Sequence, residues 1–349
     1  MNGTDSRMSQ EKLKAFSTDS LVRKLLDSGG MVVVFIALFA VFSYRIDRFC
    51  SLDNMVSLGL QVSSIGIVAC TMLFCLASGD FDLSIGSVYA CSGVLAAVVA
   101  NQTGSVLFGL LAGILIGGLV GLVNGVVIAK FQINALITTL ATMQIVRGLA
   151  YLVGKGQSVS ASSEKFTVLG SSLLPLGWLL PGRGAEAGGT SGLEGIPTPV
   201  LITVFSFVLF GFLLRYTTFG RNTLAMGGNK EAARLAGINV SRLQIIIFTM
   251  QGLMAGFAGA IMASRMGIGD PKVGVGFELQ VISACVLGGV SLKGGIGSMT
   301  FVVSGVLIMG AVENAMNLKN LDPFFQYIVR GAILLAAVLF DRFKQRRTD

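Results

Sequence analysis

Two acids and several hydroxyls interrupt an apolar region near residue 80, and their types and spacing could support chemistry. Residues 78–87 read SGDFDLSIGS and lie between two strongly apolar runs. An acid at bilayer depth costs about 2.5–3.5 kcal/mol on insertion scales, which favours a water-accessible cavity or a helix break. Two interpretations stay open. Asp80, Asp82 and Ser84 form a cavity or gate, or Asp82 caps a helix after a short cytoplasmic turn.

Further polar residues lie within or at the ends of apolar runs. They are Asn134, Thr138, Gln144, Glu278, Glu313 and Asn314. Each could form a hydrogen bond between helices or contact a substrate. Hydroxyl-rich solutes need many weak polar partners rather than one fixed counter-charge, so this set suggests a passage for a neutral polar solute.

The composition argues against catalysis by this chain. It has no histidine, which removes the commonest general base and metal ligand. Its five cysteines show no C-x-x-C spacing, which disfavours a metal site or a disulfide framework. Residues 154–156 read GKG and lack the spacing of a phosphate-binding loop. We predict no catalytic residue, no metal, no cofactor in this chain, and no nucleic-acid partner despite the net charge of +8.

The elements that position these polar residues must be membrane helices. Apolar residues make up 53% of the chain and charged residues only 13%, against about 25% in a soluble domain. A span needs about 20 apolar residues. Ten are predicted, at 29–44, 56–78, 84–100, 105–129, 135–153, 198–214, 243–264, 278–292, 298–317 and 323–340.

Lys and Arg residues set the orientation, because cytoplasmic loops are enriched in them. They concentrate in the leader at 1–28, in the loop at 215–242 and in the C-terminal segment, whose last part is a basic tail end at 346–349. Both termini are therefore predicted inside, around an all-α membrane domain at 29–345. The 154–197 loop is then external and contains a Gly-rich insert near 182–195.

Two repeated patterns concern helix packing and topology. Glycines recur every four residues in the fourth span, which lets another backbone approach closely in lipid. These are Gly109, Gly113, Gly117, Gly121 and Gly125. The sequence IVRG at 145–148 recurs at 328–331, five spans later and so in the opposite direction, as an inverted repeat of two five-helix halves requires.

The 215–242 loop contains a predicted short helix. Asn229 is placed to cap it, Glu231 lies in its first turn and Gly237 ends it. Its apolar face is small, with Ala232, Ala233, Leu235 and Ala236. Such a helix could dock into a cleft on another protein, or it could lie along the membrane surface.

This loop also carries a family resemblance. E-A-A-x-x-x-G at 231–237 is similar to the cytoplasmic loop of ABC importer permeases, which forms the coupling helix that docks on the ATPase subunit. On this resemblance, the coupling residues are Gly227, Gly228, Asn229, Glu231, Ala232, Ala233, Arg234 and Gly237.

Longer motifs narrow the resemblance to the monosaccharide permeases for ribose, galactose, xylose and arabinose. They are DLSIGS at 82–87, TFGRNTLAMGGNKEAARLAGI at 218–238 and ACVLGGVSLKGGIGS at 284–298. CLASGDFDLS at 75–84, NALITTLATMQIVRGLAYL at 134–152 and VENAMNL at 312–318 look closest to the L-arabinose branch. Asp80 departs from the G-G-I-D-L pattern of most of the group, and the 182–195 insert is longer than usual.

The resemblance implies a homodimer of ten-helix subunits in the bacterial inner membrane, with a pore for a transient monosaccharide. A separate ATPase subunit would bind ATP and Mg, and a periplasmic sugar-binding protein would dock outside. One rival is an ion-coupled secondary sugar transporter that uses Asp80, Asp82 or Glu278. A membrane-embedded enzyme is a second rival, and the lack of an acid/base set argues against it.

Overall fold

A computed structural model of the chain describes residues 31–171, 173–175 and 195–345. The predicted leader, the tail end at 346–349 and nearly all of the 182–195 insert lie outside the described residues. The longer helices are α1 (Met31–Arg45), α2 (Leu52–Ala77), α3 (Ile85–Thr103), α4 (Val106–Phe131), α5 (Ala135–Val153), α7 (Thr198–Tyr216), α10 (Val240–Met266), α11 (Phe277–Gly288), α12 (Met299–Leu318) and α13 (Pro323–Gln345).

Shorter elements connect these helices. They are β1 (Val159–Ser160), a 3₁₀ turn (Glu164–Thr167), α6 (Val168–Ser171), β2 (Leu173–Pro175), β3 (Gly195–Pro197), α8 (Thr218–Gly228), α9 (Lys230–Leu235) and β4 (Ile268–Gly269). Two small antiparallel ladders pair β1 with β4 and β2 with β3. In β1–β4, Val159 faces Gly269 and Ser160 faces Ile268, which ties the 154–171 segment to the connection before α11.

Within the described residues, seven helices are long and apolar enough to cross a membrane, namely α2, α3, α4, α5, α7, α10 and α12. Met31–Arg45, Phe277–Gly288 and Pro323–Leu339 are shorter apolar helices. Each predicted span falls on one of these helices, although some ends differ. The second begins earlier because Ser51 caps it, its side chain accepting from Asn54 N, and the eighth ends earlier at a left-handed Gly289.

Helices α3, α4 and α10 make close backbone contacts with one another beside the buried helix α2. A Cβ atom on Gly117 would collide with the Gly252 carbonyl, and one on Gly252 would collide with the Gly117 carbonyl. Gly121 meets the Phe248 carbonyl in the same way. In a membrane, where lipid is as apolar as leucine, such close backbone approach is a main source of helix association.

The remaining glycines of the four-residue series lie on the same face of α4. Gly109 and Gly113 pack against α3, at the carbonyls of Ala96 and Ser92, and Gly125 packs against Ile245 of α10. By contrast, α4, α5 and α7 expose many large apolar side chains, including Leu115, Ile137 and Phe205. Faces of that kind suit lipid or another subunit.

The predicted orientation gives the bundle two ends. The outer end contains the connections at 46–51, 154–171, 173–175, 195–197, 267–276 and 319–322, and the inner end contains those at 78–84, 217–239 and 289–298.

Candidate functional site

The inner end contains a junction of three chain segments that meet backbone to backbone. We call it the inner junction: residues 77–80 after α2, residues 227–230 between α8 and α9, and residues 291–295 before α12. Gly295 N donates to the Ala77 carbonyl over 2.9 Å. A Cβ atom on Gly227 would overlap that carbonyl, and one on Gly294 would lie 2.9 Å from Gly79 N. Only residues without side chains fit this contact.

Asp80 joins the inner junction to the predicted docking helix. Its Oδ1 lies 2.9 Å from Lys230 Nζ, and its Oδ2 accepts from Gln244 Nε2 over 2.8 Å. Asp80 is buried, whereas the Lys230 side chain is 40% exposed. The first residue of α9 is therefore fastened both to the α2–α3 connection and, through Asp80, to α10.

Asp82 and Ser84 lie in a buried polar network close to the junction. Asp82 Oδ1 accepts from Ser84 N over 2.9 Å and from Ser84 Oγ over 2.6 Å. Asn124 Nδ2 donates to Ser84 Oγ over 3.0 Å, and Thr142 Oγ1 donates to Asn124 Oδ1 over 2.7 Å. The network links the α2–α3 connection to α4 and α5.

The interpretation that Asp82 caps the following helix is wrong in detail. Asp82 closes a turn onto Ser84, one residue before α3 begins, and Ser84 itself occupies the N-cap position. Asp82 lies in the connection between helices, and burial raises its pKa to about 6, while hydrogen bonds from Ser84 act in the opposite direction.

The short helix predicted after Asn229 is present as α9. Asn229 Oδ1 accepts from Ala232 N over 2.9 Å, and Gly237 adopts φ +85° just past the helix. Leu235 is 89% exposed, and Ala232 and Ala236 are exposed beside it. The exposed side of α9 therefore carries one large apolar side chain with small alanines beside it.

Two members of the predicted coupling set face inward instead. Ala233 is buried against the bundle, and Gly227 packs against the end of α2. Ala233 is only 4% exposed, whereas Gly227 is half-buried. The sequence did not separate them from their neighbours because a six-residue helix with alanines on several sides has no clear apolar face.

The outer end holds a cavity of about 650 Å³, which we call the outer cavity. It lies between the outer parts of α2, α10 and α12, the start of α11 and the connection before it. Its polar lining residues are Asn54, Ser57, Gln61, Ser64, Arg265, Gln280, Glu313, Asn314 and Asn317. At its inner limit, α2 is buried throughout Ile65–Ala77. The cavity therefore lies at the outer end, and the buried part of α2 lies between it and the inner end.

Glu313 organises the polar wall of this cavity. Its carboxylate accepts from Gln61 Nε2 over 3.0 Å and also from Gln280 Nε2. Arg330 Nε lies 2.9 Å from Oε1 and forms an ion pair with the carboxylate. Asn314 and Asn54 exchange amide hydrogen bonds of 2.8 and 2.9 Å beside it.

An aromatic pair and an arginine complete the surroundings of the cavity. Tyr89 and Phe277 stack with ring centroids 4.6 Å apart, and Tyr89 Oη donates to Ser64 Oγ over 3.3 Å. Arg147, on α5, donates to the carbonyls of Pro271 and Val273 over 2.6 and 2.7 Å. It thereby fixes the connection that forms part of the cavity rim.

The other predicted pore candidates do not line the outer cavity. Asn134 caps α5 by accepting from Leu136 N, and Thr138 Oγ1 donates to the Asn134 carbonyl. Gln144 is exposed on α5, and Glu278 is half-buried beside Gly86. Of the predicted set, the structure brings only Glu313 and Asn314 together at the cavity.

The sequence analysis missed most of the cavity wall, although one signal was present. Asn54, Ser57, Gln61 and Ser64 recur at intervals of three and four residues and so form a polar stripe on one face of α2. Gln280 and Arg330 have no comparable local signal. Among the described residues, no group of three His, Cys, Asp or Glu side chains could hold a metal ion.

Comparison with known proteins places this geometry in context. Residues 54–338 match the family model described as a branched-chain amino acid transport system / permease component. The chain is 57% identical over 323 residues to the L-arabinose transport system permease protein AraH of Escherichia coli (strain K12), covering 93% of each chain. It is 49% identical over 326 residues to the L-arabinose ABC transporter permease protein AraH of Azospirillum brasilense, covering 93% of this chain and 91% of that one.

A more distant relative extends the comparison to another pentose. The chain is 36% identical over 335 residues to the ribose import permease protein RbsC of Bacillus subtilis (strain 168), covering 96% of this chain and 98% of that one. No solved structure gives a significant match.

Proposed function

The chain belongs to the permease-component family of branched-chain amino acid transport systems, and from that premise we propose that it is the membrane subunit of an ATP-driven L-arabinose importer. It is an inner-membrane transport subunit of the sugar ABC importer class and not an enzyme. The observation that carries the choice of sugar is the identity of 57% and 49% with two arabinose permeases, against 36% with a ribose permease.

The site geometry supports a neutral substrate. The buried Glu313 is paired with Arg330, and apart from Arg265 at the exposed rim the remaining polar wall of the outer cavity consists mainly of amides and hydroxyls. Neutral hydroxyl-rich solutes suit a surface of this kind, because each hydroxyl can both donate and accept a hydrogen bond. A buried unpaired charge would instead favour an ion or a zwitterion, whereas the charge of Arg265 is exposed to water.

We assign coupling to α9 and its attachment at the inner junction. The exposed Leu235 and its neighbouring alanines offer a contact for a separate ATPase subunit, which would hold ATP and Mg. Movement of α9 would reach the bundle through Lys230, Asp80 and Gln244 and through the glycine contacts at Gly227. ATP binding in the partner thereby drives alternating access in this subunit.

The wider assembly follows from the same proposal. It comprises ten spans with both termini inside, a leader at 1–28, a permease domain at 29–345 and a basic tail end at 346–349. The IVRG sequence that occurs at both 145–148 and 328–331 marks two inverted five-helix halves. A second copy of the chain completes the pore, and a periplasmic sugar-binding protein delivers the sugar to the outer end.

Reconstituted transport tests the function. Proteoliposomes containing this chain, its ATPase subunit and the sugar-binding protein are expected to accumulate radiolabelled L-arabinose only when ATP is supplied on the ATPase side. Omission of any component should abolish uptake. Accumulation by this chain alone under a proton or sodium gradient would overturn the proposal, and preference for ribose or xylose would overturn the choice of sugar.

A matched pair of variants tests docking at α9. Leu235→Glu is expected to abolish co-purification of the ATPase subunit, because it places a charge in the proposed contact, while Leu235→Met preserves an apolar contact and co-purification. Both should fold normally, since the side chain is 89% exposed. Unchanged co-purification of Leu235→Glu would place the docking surface elsewhere.

A further inference from the structure

The two glutamines of the outer cavity have hydrogen-bonding capacity that the fold leaves free. Gln61 and Gln280 come from different helices, and each donates one N–H group to the Glu313 carboxylate. A primary amide has two donors and one carbonyl acceptor. Among the described residues, neither side chain makes another hydrogen bond, so each retains an N–H group and a carbonyl oxygen.

Glu313 fixes how these free groups are presented. Its side chain is only 3% exposed, and its position is set by Arg330 on α13. Because a carboxylate only accepts hydrogen bonds, both amides must point their nitrogen toward it, which leaves each carbonyl oxygen free for another donor. Two donor–acceptor pairs are thus held on neighbouring walls of one cavity.

The rest of the cavity suits the same type of ligand. The largely buried Tyr89–Phe277 ring pair adds a small apolar part of the wall beside Ser64, whose Oγ accepts a hydrogen bond from Tyr89 Oη. Sugars combine hydroxyl groups with C–H faces that pack on aromatic rings. A volume of about 650 Å³ lies within the ~300–1,000 Å³ typical of small-molecule sites.

We propose that the outer cavity is a monosaccharide-binding site inside this subunit, in which the amides of Gln61 and Gln280 hold the hydroxyl groups of a pentose. Glu313 and Arg330 are positioning residues that orient the two amides. Arg265, exposed at the cavity rim, is a further donor to a hydroxyl. The inference rests on the proposed sugar transport function and adds a binding site within the permease itself.

The sugar would bind at this site first after it leaves the periplasmic sugar-binding protein. The cavity lies at the outer end, and the buried Ile65–Ala77 part of α2 lies between it and the inner end. Binding by two amides is weak enough for release, since each neutral hydrogen bond contributes only about 1 kcal/mol net.

Direct binding to the permease–ATPase complex, without the sugar-binding protein, tests the inference. The complex is embedded in nanodiscs without nucleotide, and L-arabinose is titrated while saturation-transfer-difference NMR is recorded. The wild type should bind. Replacing both glutamines (Gln61→Met with Gln280→Met) should raise the dissociation constant at least about tenfold, which corresponds to 1.4 kcal/mol.

Gln144→Met is the matched control, because Gln144 is an exposed glutamine that does not line the cavity, and its binding should equal the wild type. If the double variant fails to assemble, Gln280→Met alone is measured. Glu313→Gln should weaken binding by disturbing both amides, and ATP-driven uptake at saturating loaded binding protein is recorded for each variant.

The outcomes separate the two proposals. Wild-type transport with no detectable binding, or with equal binding by the double variant and the wild type, would overturn the cavity site and leave the transport function intact. Absence of ATP-driven arabinose uptake by the wild-type complex would instead overturn the proposed function.

Discussion

The inner junction and the outer cavity use opposite means to place polar groups in a membrane protein. At the inner junction, backbone meets backbone through Gly79, Gly227 and Gly294, and little space is left. At the outer cavity, long side chains surround a volume of about 650 Å³. Close-packed contacts transmit displacement, because neither side can move independently. An open amide-lined space can instead accept a small solute.

The largest effect should come from adding a side chain to a glycine of the inner junction. We expect Gly227→Val to lower the free energy of unfolding by about 1–3 kcal/mol or more and to abolish transport, because its side chain would collide with the Ala77 carbonyl. Gly228→Val, the adjacent residue with no atom within 4 Å of a Cβ, should cost much less. Thermal unfolding in detergent measures both, and equal losses would show that the junction is not close-packed.

Breaking the ion pair at the outer cavity should be the next largest effect. Arg330→Met is expected to destabilise the fold by about 2 kcal/mol, because it leaves the buried Glu313 carboxylate without its counter-charge. Glu313→Gln should cost less, since the Arg330 side chain is 30% exposed and can be solvated. The double variant should recover part of the loss, and strict additivity of the two unfolding free energies would contradict the coupling.

Removal of the cation at the inner junction should affect coupling more than stability. Lys230→Met should cost about 1 kcal/mol or less, because the Lys230 side chain is partly exposed to water. It should nevertheless raise the number of ATP molecules hydrolysed per sugar imported, because α9 loses its link to Asp80. Lys230→Arg should restore the ratio, and a normal ratio in Lys230→Met would remove Asp80 from the coupling route.

The smallest effect should be the change in protein stability with pH that results from titration of Asp82. Its pKa is raised to about 6 in the folded protein from 3.8, so the folded state holds more protons than the unfolded state between these values. Stability should therefore fall as pH rises from about 4 to 6 and then level off. Asp82→Asn should show a shallower fall in melting temperature over this interval, and an identical pH profile would contradict the assignment.

Much of the architecture was predictable because it depends on local patterns. Apolar runs predicted the helices, since a lipid environment demands continuous apolar segments whose backbone groups bond internally. Asn229 and Gly237 predicted α9, because capping acts between residues close in sequence. The polar stripe of Asn54, Gln61 and Ser64 on α2 was equally local, and its helical period could have revealed the cavity wall.

The sequence by itself determined that this is a membrane protein, where its helical segments lie and which family it resembles. Hydrophobicity, helix period and long motifs are all properties of neighbouring residues. Only the tertiary structure decided which polar groups meet. Asp80 pairs with Lys230 across 150 positions, and Glu313 meets Gln61 across 252. Contacts of that range depend on how whole helices pack, so no spacing of residues along the chain could place Asp80 at the inner junction and Glu313 at the outer cavity.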